Sequence, residues 1–163
     1  MFKKFLWIVV FVFVIIQFFR PVKNQSNAQS PADISTLYSV PLNIQNTLNK
    51  ACYDCHSNNT RYPWYNNFQP MAWWLNKHVD EGKKHLNFSE FTLNSIAHQY
   101  KGLDECVKEI KEGDMPLPSY TWIHRNAILT YAEKEAFVDW CNALRDSIKT
   151  KYPADSLVLP KRK

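Results

Sequence analysis

Cys52-Tyr53-Asp54-Cys55-His56 is the stretch from which the rest of the chain is read. Its pattern, C-x-x-C-H, is the one that attaches a c-type haem. Two thiols at this spacing can be joined as thioethers to the two vinyl groups on one porphyrin edge. The adjacent His is then held beneath the ring, where its imidazole can ligate iron. Four Cys and five His in 163 residues would give such a match by accident about 0.003 times. A structural zinc site or a thioredoxin-like redox pair is the competing reading. Structural zinc wants a second close pair of ligands, and Cys106 and Cys141 each stand alone in the sequence. A redox pair belongs beside a βαβ pattern, and no strand pattern is visible.

The length implies one domain. The net charge of +5 comes from the ends of the chain. Lys3, Lys4, Arg20 and Lys23 lie at one end and Lys161, Arg162 and Lys163 at the other, while all 15 acidic residues fall between Asp33 and Asp155. That leaves 13 basic residues against 15 acidic ones in the body, with no clustered basic face. A nucleic-acid partner is therefore not expected.

Residues 1–23 read as a signal or membrane anchor, because Lys3-Lys4 precedes an apolar run from Phe5 to Phe19 broken only by Gln17. Fifteen helical residues cover about 22 Å against a hydrocarbon core of ~30 Å, the length of a signal-peptide core. The run ends in bulky Phe18-Phe19-Arg20 with no small-x-small cleavage site directly behind it. Flanking cations can snorkel and lengthen the span, so an uncleaved single anchor is the expectation. A cleaved signal is the alternative. Either places the body in the cell envelope, on the periplasmic face of the inner membrane. Residues 24–39, rich in Asn, Gln and Ser, read as a polar tether. Residues 40–158 form the expected domain and 159–163 a basic tail.

Within that domain the pattern predicts an all-α fold. Pro41 opens a first helix, with Leu42, Ile44, Leu48, Ala51, Cys52 and Cys55 on its apolar face. Met71, Trp74, Leu75, His78 and Val79 mark a second helix from Pro70 to Gly82. A third is expected from Ser89 to Gly102, with Leu93, Ile96, Ala97 and Tyr100 inside. A short fourth carries Leu103, Cys106, Val107 and Ile110 and ends at Gly113. Thr130 and Glu133 form a capping box for the last helix, whose stripe is Ala132, Ala136, Phe137, Trp140, Cys141, Leu144 and Ile148. Cys106 and Cys141 read as buried thiols, with a disulfide as the alternative.

The second axial ligand is expected at Met115. It lies in Gly113-Asp114-Met115-Pro116-Leu117-Pro118, where the following proline keeps it off a helix. A thioether is a soft ligand suited to iron. Met71, on a helical stripe, reads as core. His78, His85, His98 and His124 read as ordinary histidines, with His78 the most plausible alternative ligand.

A helix ending in C-x-x-C-H, a later Met-Pro loop and a capped last helix resemble class I cytochrome c. More closely, Cys52 to Thr60 followed by Tyr62-Pro63-Trp64-Tyr65 resembles the haem-binding domain of exported proteins of Bacteroidetes-type bacteria. Trp73-Trp74-Leu75, Glu81-Gly82-Lys83, Leu86-Asn87-Phe88-Ser89 and Met115 to Tyr120 carry the likeness across residues 35 to 158. The resemblance implies a cytochrome c-like helical domain with a single covalent haem c (heme c), bound through Cys52 and Cys55. It makes His56 the proximal iron ligand and Met115 the distal one. The expected role is single-electron transfer between exported redox proteins by a membrane-tethered, non-enzymatic carrier. A sensor or peroxidase-like enzyme with a displaceable sixth ligand is the alternative.

Overall fold

The structure, a computed structural model, describes residues 1–26 and 28–160. Lys161, Arg162 and Lys163 of the expected basic tail lie outside the described residues. The seven helices among those residues are α1 (Phe2–Ile16), α2 (Leu42–Ala51), α3 (Tyr53–His56), α4 (Met71–His85), α5 (Ile96–Glu112), α6 (Pro118–Ile123) and α7 (Tyr131–Lys151). Short 3-10 turns join them, and no strand occurs among the described residues. The all-α expectation holds.

The body is built on α5 packed along α7, with α2 across α7. Their apolar stripes meet in one cluster around Ile44, Leu48, Leu103, Phe137, Trp140 and Cys141. Phe88 and Phe91 complete it from the 3-10 turn Phe88–Leu93. A second, smaller cluster gathers Tyr65, Leu75 and Val79, and Cys55, Tyr62 and Trp74 pack against it. The capping box on α7 forms as expected: the Thr130 hydroxyl accepts from Glu133 N, and the Glu133 carboxylate accepts from Thr130 N at 2.8 Å. On α7 the buried stripe omits Ala132, which is exposed, and gains Val138. Leu42 is exposed as well, so the apolar face of α2 begins at Ile44.

The expected third and fourth helices are one. Ser89 starts no α-helix; its N–H donates to the Asn87 side chain in the 3-10 turn, and Asn94 is extended. Ser95 then caps α5, which runs through Gly102 and stops at Gly113 with φ +83°. Gly102 reads locally as a breaker, but it is buried, and a Cβ there would stand 3.3 Å from Leu86 Cδ1. The glycine admits a neighbour instead of ending a helix.

Two further expectations change. The stretch 24–39 is docked, not free. Ile34 is fully buried in the main cluster, and Asn24 makes side-chain bonds to Ser57 O (2.8 Å) and Thr60 Oγ1 (2.9 Å). Its polar residues serve as hydrogen-bonding groups toward the body. The N-terminal hydrophobic helix exists as α1, with 15 residues and none of them buried. Among the described residues, however, no helix is long and apolar enough to cross a membrane.

Candidate functional site

Cys52 is the residue after α2, and its backbone (φ −120°, ψ −47°) breaks that helix before the single turn of α3. Cys55 N and His56 N both donate to Cys52 O, at 3.1 and 2.9 Å, so the whole motif is one tight turn. Cys52 packs against the larger apolar cluster and Cys55 against the smaller. The motif therefore sits at the seam of the two cores.

The imidazole of His56 has one nitrogen committed. Its Nδ1 donates to Leu86 O at 2.9 Å, where the chain leaves α4. Burial holds His56 below its ordinary pKa, outweighing the backbone of Leu86 and Gly82 at the end of α4, which raises the proton affinity of the ring. The ring is then neutral with its proton on Nδ1, which leaves the Nε2 lone pair free for a metal. Phe88 meets it edge-on at 6.5 Å. α4 comes this close because residue 82 is glycine: a Cβ there would lie 2.7 Å from Cys55 O.

Burial pushes the Cys52 thiol far above its ordinary pKa and Cys55 to about 11. Thiols held protonated in this way are the opposite of the low-pKa cysteines of a dithiol redox motif. No group of three His, Cys, Asp or Glu among the described residues could hold a metal ion, so the zinc reading has no ligand set. Cys106 and Cys141 are free thiols like the other two. They interact across α5 and α7, which together with burial raises the Cys106 pKa well above its ordinary value.

Asp54 lies between the two cysteines and is itself buried. It accepts from Arg61 N (3.1 Å), Arg61 Nε (3.0 Å) and Tyr120 Oη (2.6 Å), and its own carbonyl accepts from Thr60 Oγ1 at 2.7 Å. Burial and this bond hold the Tyr120 hydroxyl far above its ordinary pKa. Tyr120 belongs to α6, a helix that opens with Pro118 at its first turn. Asp54 thus ties the motif to the segment that follows Met115. A charged residue inside the motif has no periodic signal, which is why this anchor was not legible.

Met115 is half-buried against the larger cluster, as are Cys52 and Tyr53, and its N–H donates to Glu109 O at 3.3 Å. Met71 is exposed, not core, because Ala72, Leu75 and Val79 take the inward face of α4. His78 donates through Nδ1 to Trp74 O at 2.8 Å and lies tilted by 50° against that indole at 4.3 Å. His85 and His98 are exposed, and His124 stacks on Tyr120 at 4.2 Å. The residues present suit a haem: two unpaired thiols and a neutral, oriented imidazole share one turn, and a thioether packs on the same cluster.

A helical body that presents this set defines a haem-binding protein. The chain belongs to the haem-binding domain family, whose model matches residues 11–143. That span runs from α1 into α7 and includes Cys52, Cys55, His56 and Met115. No curated protein and no solved structure shows significant similarity to the chain.

Proposed function

We propose that the chain is a membrane-tethered, monohaem c-type cytochrome of the cell envelope that passes single electrons between exported redox proteins and is not an enzyme. Cys52 and Cys55 would hold haem c covalently, and His56 and Met115 would ligate its iron. Bound there, the iron supplies a one-electron couple. The observation that carries the reading is the His56 Nδ1 bond to Leu86 O, which fixes the tautomer that ligates and holds the ring in one orientation. Met115 would add a soft thioether that favours the reduced state. With His56 and Met115 both holding the iron, no site would remain for a substrate. The tether would be α1, with Lys3 and Lys4 in its first turn and Arg20 and Lys23 behind it able to reach polar interfaces.

The test is the spectrum of the purified holoprotein with and without carbon monoxide. A sharp low-spin spectrum unmoved by carbon monoxide is expected, together with colour that stays on the polypeptide in acid acetone. Met115→Ala should open the sixth position and lower the potential, on the scale of ~59 mV per tenfold change in relative affinity. A native protein that binds carbon monoxide readily would make it a sensor or enzyme instead. Complete extraction of the colour would remove the covalent attachment.

A further inference from the structure

We infer that the face carrying Trp64, Phe68, Met71 and Trp73 lies in the headgroup region of a lipid bilayer and holds the haem-binding body flat on the membrane. This rests on the proposal that α1 is the membrane tether. Beyond Lys3 and Lys4, α1 is apolar on every side and buries none of its residues on the body, yet the residues that follow its last turn are not free to swing. Gln69 N donates to Gln17 Oε1 at 2.9 Å, and Gln17 Nε2 donates back to Gln69 O at 3.3 Å. Gln69 Nε2 and Trp73 Nε1 both donate to Phe19 O at 2.8 Å, and Arg20 Nη2 donates to Asn67 O at 3.0 Å. Gln69 is only 2% exposed, so its bonds at the centre of the clamp are shielded from competing water. Four residues on, Asn24 N donates to Tyr62 Oη at 2.7 Å and Lys83 Nζ donates to Asn24 Oδ1 at 2.7 Å. Wherever the end of α1 enters lipid, residues 67–73 must go with it.

The surface delivered there has the chemistry of an interface. Trp64 is 75% exposed, Phe68 52%, Trp73 40% and Met71 36%, and the Trp64 and Phe68 rings meet edge-on at 6.4 Å. Indole rings with an apolar body and a polar N–H favour the boundary between hydrocarbon and water. Charge agrees. Residues 1–32 and 55–79 contain no Asp or Glu, whereas Arg20 and Lys23 stand at the junction, where anionic headgroups attract them.

The full-length holoprotein is reconstituted in phosphatidylcholine–phosphatidylglycerol vesicles, and tryptophan emission is compared between plain lipid and lipid brominated just below the glycerol. Trp7 lies within α1 and would report the tether, so the face is read in the Trp7→Phe chain. Quenching is expected to persist in Trp7→Phe and to lose its larger part when Trp64→Phe is added. If the chain floats with vesicles but Trp7→Phe is not quenched, or Trp64→Phe leaves the quenching unchanged, the face is wrong and the tether stands. If the native chain does not float with vesicles, the tether fails and the face with it.

Discussion

Gly82→Ala and Gly102→Ala are the same chemical change in two helices, and the structure assigns them opposite outcomes. In a helix interior each gains about 1 kcal/mol of propensity. At Gly82 the new Cβ would stand 2.7 Å from Cys55 O and 3.1 Å from Cys55 Cβ. The first of these is backbone, so α4 or the haem turn must shift. Overpacking of that kind costs roughly 1–3 kcal/mol, which leaves a net loss of up to about 2 kcal/mol. At Gly102 the nearest atom is Leu86 Cδ1 at 3.3 Å, the end of a side chain that can rotate away. There the net effect falls between neutral and a gain of about 1 kcal/mol. The two variants should be separated in urea midpoint, with Gly82→Ala below the parent chain. Gly82→Ala should also reach the site, because the Gly82 and Leu86 backbones both act on the His56 ring. Its haem content per chain is expected to fall, while Gly102→Ala loads normally. A Gly82→Ala chain with unchanged midpoint and full loading would refute the close approach of α4 to the motif.

Tyr120→Phe keeps the ring stacked on His124 but removes the 2.6 Å bond to Asp54. Loss of a hydrogen bond to a charged group should cost about 1.5–3 kcal/mol in chemical denaturation, and an unchanged midpoint would mean that Asp54 needs only Arg61. At the start of α7, Thr130→Ala should cost about 1 kcal/mol as a lost cap. Lys50 at 2.6 Å, together with the Thr130 N–H, holds the Glu133 carboxyl below the ordinary carboxylate range. Because the folded pKa is the lower one, this stabilisation is present above the unfolded carboxylate pKa and is lost as pH falls through the folded value. Lys50→Met should therefore flatten the acid limb of stability against pH; an identical limb would show that the pair contributes nothing.

What the sequence made legible was what short-range patterns encode. The apolar face of α2 from Ile44 onward and the capping box of α7 are each settled within a few residues, and each is found where the pattern puts it. Gly102 reads as a breaker because its propensity is local, whereas its reason, contact with Leu86, is tertiary. The stretch 24–39 departs from its expected form for the same cause. Its polar composition fits a solvated linker until Ser57, Thr60 and Tyr62 supply partners more than thirty residues away. Met71 shared a helical stripe with Leu75 and Val79, but the inward face of α4 is centred one residue on, at Ala72.

These long-range polar contacts converge on the motif, and the two apolar clusters explain why. Hydrophobic packing is non-directional, so clusters on either side of Cys52 and Cys55 fix which sides of the turn are buried but not its orientation. Orientation comes from hydrogen bonds that arrive from separate elements. Leu86 O at the end of α4 takes the His56 proton, and Asn24 holds Ser57 O from the N-terminal side. Arg61 and Tyr120 hold Asp54 from the loop and from α6. A ligand imidazole must be presented at a fixed angle as well as a fixed place, and only bonds of this kind specify an angle. The charged Asp54 between two apolar cysteines therefore fits the role proposed for the turn: it anchors the residues that flank His56 while leaving Nε2 of that ring unengaged.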